Sequence, residues 1–301
     1  MARNPDMKKT VTFLQKEKCM SEILTKQQAV SKRNQLVDDG YTVIPNILKD
    51  PLLSNLKNWS DDVFDHVPVD PKYRYQGSDI HVYTERIWTK MDIKRDEKRF
   101  PDPIVEKFID YPDQKKVCAE LGLENLKPRD NIILLSKPAF GPPLYWHQDF
   151  MNWNHPEAAC PWPTVIFLSY YMNDTSRKNG CLRVIPGSHR KRDRLHDILP
   201  DAHGPEIQST NDLNHPIFQD HPNSIDVPLC AGDLIIADAR LLHAAWPNNT
   251  NQRRTLVLAW HTVFAFPDPP TWWDQEIPDI VKQANSLFSC SASRTPIEYP
   301  Q

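Results

Sequence analysis

Short runs of β-branched and aliphatic residues recur through the C-terminal half of the chain. Clusters of Pro, Asn and Gly separate them, and no amphipathic helical stretch lies between them. Strands without intervening helices are typical of an antiparallel sandwich or barrel. We therefore predict a β core at 129–265, with strands at 131–136, 164–172, 181–185, 224–229, 233–237, 241–246 and 255–264.

Helical signals lie in the N-terminal part, at 26–125. Capping residues, a first-turn proline, a glycine stop and the helical spacing of apolar residues mark the boundaries. Residues 67–100 show no clear period and are rich in aromatic and basic side chains, which predicts a lid or a binding loop. The signals predict helices at 25–39 and 51–66, two short helices within 102–122, and a short strand at 41–45.

The length of 301 residues fits one large domain. We expect residues 1–25 to form a flexible N-terminal tail and residues 26–301 to form a single domain. A C-terminal helix at 269–290 is predicted to pack outside the core. The fold class is thus mainly β with flanking helices.

The composition is that of an ordinary globular chain, with 40% hydrophobic and 25% charged residues. Because 36 Lys and Arg stand against 39 Asp and Glu, no net positive field exists to attract nucleic acid. The chain has 28 Pro and only 8 Gly, and it lacks the glycine motifs of dinucleotide-binding enzymes, P-loop enzymes and α/β-hydrolases. These function classes are excluded.

Two features bear on location. No apolar stretch approaches the roughly 18 residues of a membrane span, so no membrane insertion is expected. The six cysteines are scattered without a CxxC pair, in a chain too long to need disulfides, so they read as reduced thiols. Both features predict a cytoplasmic protein.

One short segment combines an imidazole and a carboxylate at strand spacing. His147 and Asp149 would face the same side of a strand, because side chains alternate. His243, near the end of a distant apolar run, completes a set of two histidines and one carboxylate. Such a set leaves three metal positions open and suits non-haem Fe(II) oxygen chemistry. Arg253 or Arg254, at the start of the next strand, suits a dianionic co-substrate, because a guanidinium binds a carboxylate through two parallel hydrogen bonds.

Four motifs, at 146–150, 179–189, 231–233 and 243–254, carry a resemblance to a known family. In this order they resemble the phytanoyl-CoA dioxygenase family, over residues 30–265. The family consists of Fe(II)- and 2-oxoglutarate-dependent oxygenases and includes the ectoine hydroxylases. The resemblance implies a double-stranded β-helix core, which is a jelly roll of the cupin-like type, with N-terminal helices packed against it.

The resemblance also implies roles for individual residues. His147, Asp149 and His243 match the iron ligands of the family and form the catalytic centre. Arg254 matches the residue that binds the far carboxylate of 2-oxoglutarate, with its neighbour Arg253 as the open alternative. Further contacts to this co-substrate are expected from Trp153, Ser169 and Thr255.

In one position the chain departs from the family pattern. Many members have a serine two residues after the distal histidine, and here that residue is Ala245. We expect Thr255 or Lys137 to replace the lost contact to 2-oxoglutarate. Asp149 argues against the halogenating relatives, because these leave that ligand position free for halide.

The reaction that the resemblance implies consumes O2 and 2-oxoglutarate and releases succinate and CO2. It oxidises an unactivated C–H bond of a small-molecule metabolite by hydroxylation, desaturation or ring closure. We expect a substrate of secondary metabolism, carboxylated in view of the basic residues of 67–100. The predicted substrate contacts are Arg74, Tyr83, Arg86, Trp88, Phe150 and Trp246.

Two other functions stay open. A cupin-like isomerase or hydrolase would use Zn or Mn at the same three ligands, but it has no need of an arginine for a dicarboxylate. A barrel that only binds a small ligand would have no need of a complete metal set. For the oxygenase as for these alternatives, we expect a monomer or weak homodimer.

Overall fold

The computed structural model describes residues 23–75, 77–84, 104, 108, 111–123, 126–149, 163, 165–191, 193–199, 205–208 and 210–263. The helices within these ranges are α1 Lys26–Asp39, α2 Leu52–His66, α3 Pro112–Glu120 and α4 Pro205–Gln208. Short 3-10 helices lie at Pro71–Tyr73, Arg194–Asp197 and Pro216–Phe218.

The strands of the described ranges form two antiparallel sheets. The major sheet has the order β1-β9-β6-β11-β4-β3-β2, and the minor sheet has the order β5-β10-β7-β8. The mainly β architecture with flanking helices is therefore confirmed. The strands are β1 Tyr41–Ile44, β2 Arg74–Tyr75, β3 Ser78–Thr84, β4 Leu126–Lys137, β5 Leu144–His147, β6 Val165–Tyr171, β7 Leu182–Val184, β8 Ile225–Val227, β9 Leu234–Asp238, β10 His243–Ala245 and β11 Arg254–Val263.

The major sheet is covered on both faces. Strand β6 is buried along its whole length, which explains its continuous apolar run. Its outward residues, with those of β9 and β11, pack in one apolar cluster with helices α1 to α3. Its inward residues Phe167 and Tyr171 belong to a second cluster, which also holds residues of the minor sheet. Side chains of β6 and β11 therefore reach the space between the sheets at every second position.

Helix α1 shows why the predicted helix over 25–39 is confirmed. The Thr25 hydroxyl accepts a hydrogen bond from the backbone N–H of Gln28, and the Gln28 side chain accepts one from the N–H of Thr25. At the other end Gly40 has a φ of 84°, a left-handed conformation that favours glycine, and its N–H bonds to Leu36. The capping residue at the start of the helix and the glycine at its end, both recognisable in the sequence, thus fix its two ends.

The hypothesis that 67–100 is a lid or binding loop is wrong for its first part. β2 and β3 form a hairpin, and β3 pairs with β4 along six positions from Asp79 to Thr84. Ile80 and Val82 face inward, with the polar His81 between them, so the alternation of this strand is real but short. The segment 26–125, expected to be helical, thus supplies three strands of the major sheet.

The predicted core strands are confirmed, with ends that differ by one or two residues except at β4. That strand begins at Leu126 rather than at 131, because it continues past Pro128 through a register shift in its pairing with β11. A proline is compatible with a strand at such an irregularity, since one ladder hydrogen bond is already lost there. Helix α2 begins at Leu52, directly after Pro51.

Some predictions lie outside the described residues. These are most of the N-terminal tail, most of the first predicted helix within 102–122, and the C-terminal helix at 269–290. In the described part of the chain, no helix is long and apolar enough to cross a membrane. Cys118, Cys181 and Cys230 are free thiols, and the first two are buried.

Candidate active site

A cavity of about 210 Å³ lies between the major and the minor sheet. Most of its wall consists of apolar side chains from both sheets, such as Ile80, Leu135, Leu144, Leu182, Leu256 and Leu258. Two groups of polar side chains face into it at different levels of strand β11. An apolar cavity with a few convergent polar groups is the usual form of a small-molecule site.

The first group contains two histidines held in the same way. His147 of β5 and His243 of β10 stand directly opposite each other, with ring centroids 4.1 Å apart. Each ring bonds through Nδ1 to the carbonyl oxygen two residues earlier, that of Tyr145 or of Leu241, at 2.9 Å in both cases. Because a carbonyl oxygen only accepts, Nδ1 carries the proton and Nε2 keeps its lone pair for a ligand.

Asp149 reaches the histidines from a turn, not from the strand that we predicted. Strand β5 ends at His147, and the backbone N–H of Asp149 donates to the carbonyl of Ala239 at 2.9 Å. Its Oδ1 lies 3.4 Å from Nε2 of His147 and 3.6 Å from Nε2 of His243. The turn therefore directs the carboxylate to the point where both imidazoles converge.

These three side chains fit a divalent metal, and we call them the metal end. Their ligand atoms lie within 4.8 Å of one another, which no other cluster of His, Cys, Asp or Glu does in the described ranges. Burial, together with the nearby His147, lowers the pKa of His243 to about 4 against the opposing charge of Asp149. His243 is therefore neutral at pH 7, as a metal ligand must be.

The second group surrounds Arg254, whose side chain faces the cavity and is only 4% exposed. Its Nε and Nη1 have no hydrogen-bond partner. Burial lowers the pKa of Arg254, while interactions with Tyr171 and Cys181 oppose this shift. A buried guanidinium with unused donors lacks an anion, and a carboxylate would supply one through two hydrogen bonds.

Tyr171 and Ser169 stand beside this arginine, and with it they form what we call the guanidinium end. Both line the cavity on the inward face of β6. Burial raises the pKa of Tyr171, and the charge of Arg254 and a hydrogen bond with Ser169 oppose the rise. Ala245, which stands where many family members have a serine, also lines the cavity.

The neighbours of Arg254 face elsewhere. Arg253 is at the surface, where its Nη1 donates to Oδ1 of Asp65 at 2.8 Å. The Thr255 hydroxyl donates to Asn173 at 3.1 Å and is not part of the cavity wall. Strand alternation explains all three positions, because only every second residue of β11 points between the sheets.

Lys137 is paired with Arg254 across β11 and β4 and is fully buried. Its Nζ donates to the carbonyl oxygens of Gly77 and Pro142, at 3.2 and 2.8 Å. Burial, and the nearby Arg254, lower its pKa well below the ordinary value. Lys137 thus ties two loops together behind the guanidinium end and does not line the cavity.

The two predicted substrate residues whose side chains the structure describes, Arg74 and Trp246, do not line the cavity. Arg74 is exposed and lies 3.7 Å from Asp79, outside the cavity. Trp246 stacks under the guanidinium groups of Arg183 and Arg177 and donates its indole N–H to Asp226, also outside the cavity. Trp153, Phe150, Arg86, Trp88 and the side chain of Tyr83 lie outside the described residues.

Two residues that the sequence analysis missed belong to the site. Tyr171 follows Ser169 by two positions, and Trp260 follows Arg254 by six, so each shares its partner's face of the strand. The Trp260 indole Nε1 donates to Oδ2 of Asp149 at 2.9 Å. Counting every second residue from Ser169 along β6 and from Arg254 along β11 would have found both residues.

Comparison with known families is consistent with this geometry. The sequence model of the family described as phytanoyl-CoA dioxygenase (PhyH) matches residues 36–256. Among curated proteins, the chain is 30% identical over 153 residues to the ectoine dioxygenase of Nocardia farcinica, covering 45% of this chain and 50% of that protein. It is 26% identical over 132 residues to a probable alpha-ketoglutarate-dependent hypophosphite dioxygenase of Stutzerimonas stutzeri, covering 44% of each. The alignments thus span about half the length of these relatives.

Solved structures share the fold. The alpha-ketoglutarate-dependent epimerase SnoN from nogalamycin biosynthesis aligns with a TM-score of 0.55 at 18% identity, covering 79% of this chain and 84% of SnoN. EctD from S. alaskensis, solved with 2-oxoglutarate and 5-hydroxyectoine, aligns with a TM-score of 0.53 at 19% identity, covering 84% of each chain. The predicted jelly-roll core is therefore confirmed.

Proposed function

Because the chain belongs to the phytanoyl-CoA dioxygenase family, we propose that it is an Fe(II)- and 2-oxoglutarate-dependent dioxygenase of a small-molecule metabolite. One observation carries the proposal: the metal end and the guanidinium of Arg254, whose Nε and Nη1 have no hydrogen-bond partner, face the same buried cavity. A ligand with a metal-chelating keto acid at one end and a second carboxylate at the other satisfies both. 2-Oxoglutarate has this form.

In this proposal His147, Asp149 and His243 hold the iron. Two neutral imidazoles and one carboxylate leave three positions on the metal for co-substrate and oxygen. The iron, when bound, supplies oxygen activation coupled to the decarboxylation of 2-oxoglutarate to succinate and CO2, and oxidation of a substrate C–H bond. The protein's own part is to fix the three ligands. The two backbone carbonyls behind the imidazoles orient the rings, and the carbonyl of Ala239 holds the backbone of Asp149.

Arg254 binds the far carboxylate of 2-oxoglutarate. Its Nε and Nη1 are free to donate, and the low exposure of the side chain keeps competing water away. Tyr171 and Ser169 add hydroxyl groups at the same level, which compensates for Ala245. Trp153 is proposed as a further contact on the strength of the family pattern alone.

The substrate is proposed to be a metabolite of secondary metabolism that presents a hydrocarbon part to the cavity. The described wall supports this, because its side chains are largely aliphatic and aromatic. Hydroxylation, desaturation and ring closure need the same protein groups. We further propose a cytoplasmic monomer or weak homodimer.

The test is anaerobic addition of Fe(II) and then 2-oxoglutarate to the purified protein. The proposal expects a weak visible charge-transfer band that needs both components, and succinate once oxygen is admitted. Pyruvate is the matched control, since it keeps the keto acid and lacks the second carboxylate. It should give the band only at much higher concentration, because it leaves Arg254 unpaired.

Three outcomes would contradict the proposal. Tight Zn(II) binding without any band would favour a cupin-like isomerase or hydrolase. Absence of metal binding would favour a barrel that only binds a small ligand. Equal binding of pyruvate and 2-oxoglutarate would remove Arg254 from the co-substrate site.

A further inference from the structure

The two oxygens of the Asp149 carboxylate have different partners. Oδ1 lies 3.4 Å and 3.6 Å from the Nε2 atoms of the two histidines. Oδ2 accepts a hydrogen bond from the indole Nε1 of Trp260 at 2.9 Å. One oxygen is therefore directed to the metal position and the other is turned away from it.

We propose that Trp260 is a positioning residue that keeps Asp149 a one-oxygen ligand of the metal. The inference rests on the proposed function, because it concerns the same metal end. A carboxylate binds a metal through one oxygen or through both, and the second mode takes up one more coordination position. By occupying Oδ2, the indole N–H preserves the open positions that co-substrate and oxygen need.

The indole is well placed to do this. Trp260 stands on β11, where it pairs with Phe167 of β6, and its ring packs against Val165 and Ala239. Ala239 also accepts the backbone N–H of Asp149. The same small region of structure thus holds the backbone and the outer oxygen of a residue that no strand holds.

The chemistry of the donor also fits. An indole N–H donates a hydrogen bond but carries no charge and accepts none. An arginine or lysine at this place would neutralise the carboxylate, which weakens its attraction for a divalent cation. Trp260 directs the carboxylate and leaves its negative charge to the metal.

The test compares Trp260→Phe with Trp246→Phe. Both changes remove an indole N–H that donates to an aspartate, but the pair formed by Trp246 and Asp226 lies outside the cavity. Co(II) is the probe, because the intensity of its visible absorption reports its coordination number without oxygen or turnover. We expect Trp260→Phe to raise the Co(II) dissociation constant roughly 10- to 100-fold and to change the absorption intensity. Trp246→Phe should change neither.

A second pair of variants guards against misfolding. Trp260→Gln restores an N–H donor and Trp260→Met, of similar length, does not. Recovery of the Co(II) spectrum by Gln but not by Met supports the proposal. Wild-type affinity and spectrum in Trp260→Phe, or equal behaviour of Gln and Met, would overturn it. If wild type binds Co(II) but gives no charge-transfer band with Fe(II) and 2-oxoglutarate, the proposed function fails. The role of Trp260 is then still decided by the Co(II) affinities and spectra of the variants.

Discussion

The two ends of the cavity are built by different means. At the metal end, both imidazoles are oriented by carbonyls only two residues away, and the carboxylate lies just after a short strand of the minor sheet. At the guanidinium end, Arg254, Tyr171 and Ser169 meet only because β11 and β6 pair in one register. The difference teaches that local hydrogen bonds orient each imidazole of the metal end once β5 and β10 have paired, whereas at the guanidinium end the strand register alone decides which side chains meet.

The two ends also differ in charge. The metal end has one carboxylate between two imidazoles whose Nε2 atoms face it, so it gains from a cation. Arg254 forms no ion pair with a carboxylate in the described part of the chain, and buried Lys137 stands beside it. One end is therefore complementary to a metal and the other to an anion, and a ligand that bridges them can gain from both.

Loss of the metal end should have the largest effect. Asp149→Ala removes the ligand on which both Nε2 atoms converge, so we expect loss of Fe(II) binding and of turnover without loss of the fold. Metal titration and circular dichroism measure the two quantities. Asp226→Ala is the control, since this aspartate also accepts an indole N–H but lies outside the cavity. Full activity of Asp149→Ala would refute the site.

A substitution at the guanidinium end should have a smaller effect and should leave Fe(II) binding unchanged. Arg254→Met leaves a carboxylate without its partner, which typically costs about 2 kcal/mol or more and thus about 30-fold or more in the half-saturating concentration of 2-oxoglutarate. Arg253→Met, one residue away on the outer face, should leave this concentration unchanged. Steady-state kinetics and Fe(II) titration of both variants check the separation. Equal shifts in the two variants would break it.

Tyr171→Phe removes one hydroxyl from the same end. A neutral hydrogen bond contributes about 1 kcal/mol, so we expect a threefold to tenfold rise in the half-saturating concentration of 2-oxoglutarate. Tyr170→Phe is the matched control, because that hydroxyl is buried on the other face of β6 without a partner. Its loss should leave kinetics unchanged. An unaffected Tyr171→Phe would assign the role to Ser169 alone.

The smallest effect concerns the outer face of β11, which belongs to neither end. Burial lowers the pKa of His261 to about 4 from an ordinary 6.5. The unfolded chain therefore takes up a proton at this site below pH 6.5 and the folded protein does not, so the stability present above 6.5 is lost as pH falls toward 4. We expect about 1 kcal/mol of this loss between pH 7 and 5.5.

Chemical denaturation of wild type and His261→Phe at both pH values measures this contribution. Between pH 7 and 5.5 the free energy of unfolding of the variant should fall by about 1 kcal/mol less than that of wild type, whatever its absolute value. The pH dependence of Co(II) binding should not differ between the two proteins. An identical loss of stability in both would show that His261 is protonated without cost.

Most of the metal end was within reach of the sequence because two of its three ligands lie close together in the chain. His147 and Asp149 are two residues apart, and His243 follows an apolar run, so the residue types themselves indicated the chemistry. Apolar runs bounded by turn residues located the core strands equally well. β3 was missed because its inward apolar residues are only Ile80 and Val82, on either side of His81, and two residues are too few to show a period.

The guanidinium end was harder to predict from the sequence, for a physical reason. Whether a side chain points between the sheets depends on strand register, which nothing local fixes. Trp246 was expected at the substrate, yet His243 and Ala245 face the cavity and the next residue must face away. The same alternation of side chains along β6 and β11 would have placed Tyr171 and Trp260 in the cavity wall and Thr255 outside it.

Strand β11 links the two ends, since Arg254, Leu256, Leu258 and Trp260 all line the cavity. Inserting or deleting one residue between Arg254 and Trp260 would turn one of these two side chains outward, so their separation along the strand can change only in steps of two residues, roughly 6.6 Å. That step exceeds the length of several methylene groups. Strand β11 therefore fixes the spacing between the backbone positions of the guanidinium and of the indole that contacts Asp149, and in the proposed function a dicarboxylic acid that bridges the two ends must match this spacing.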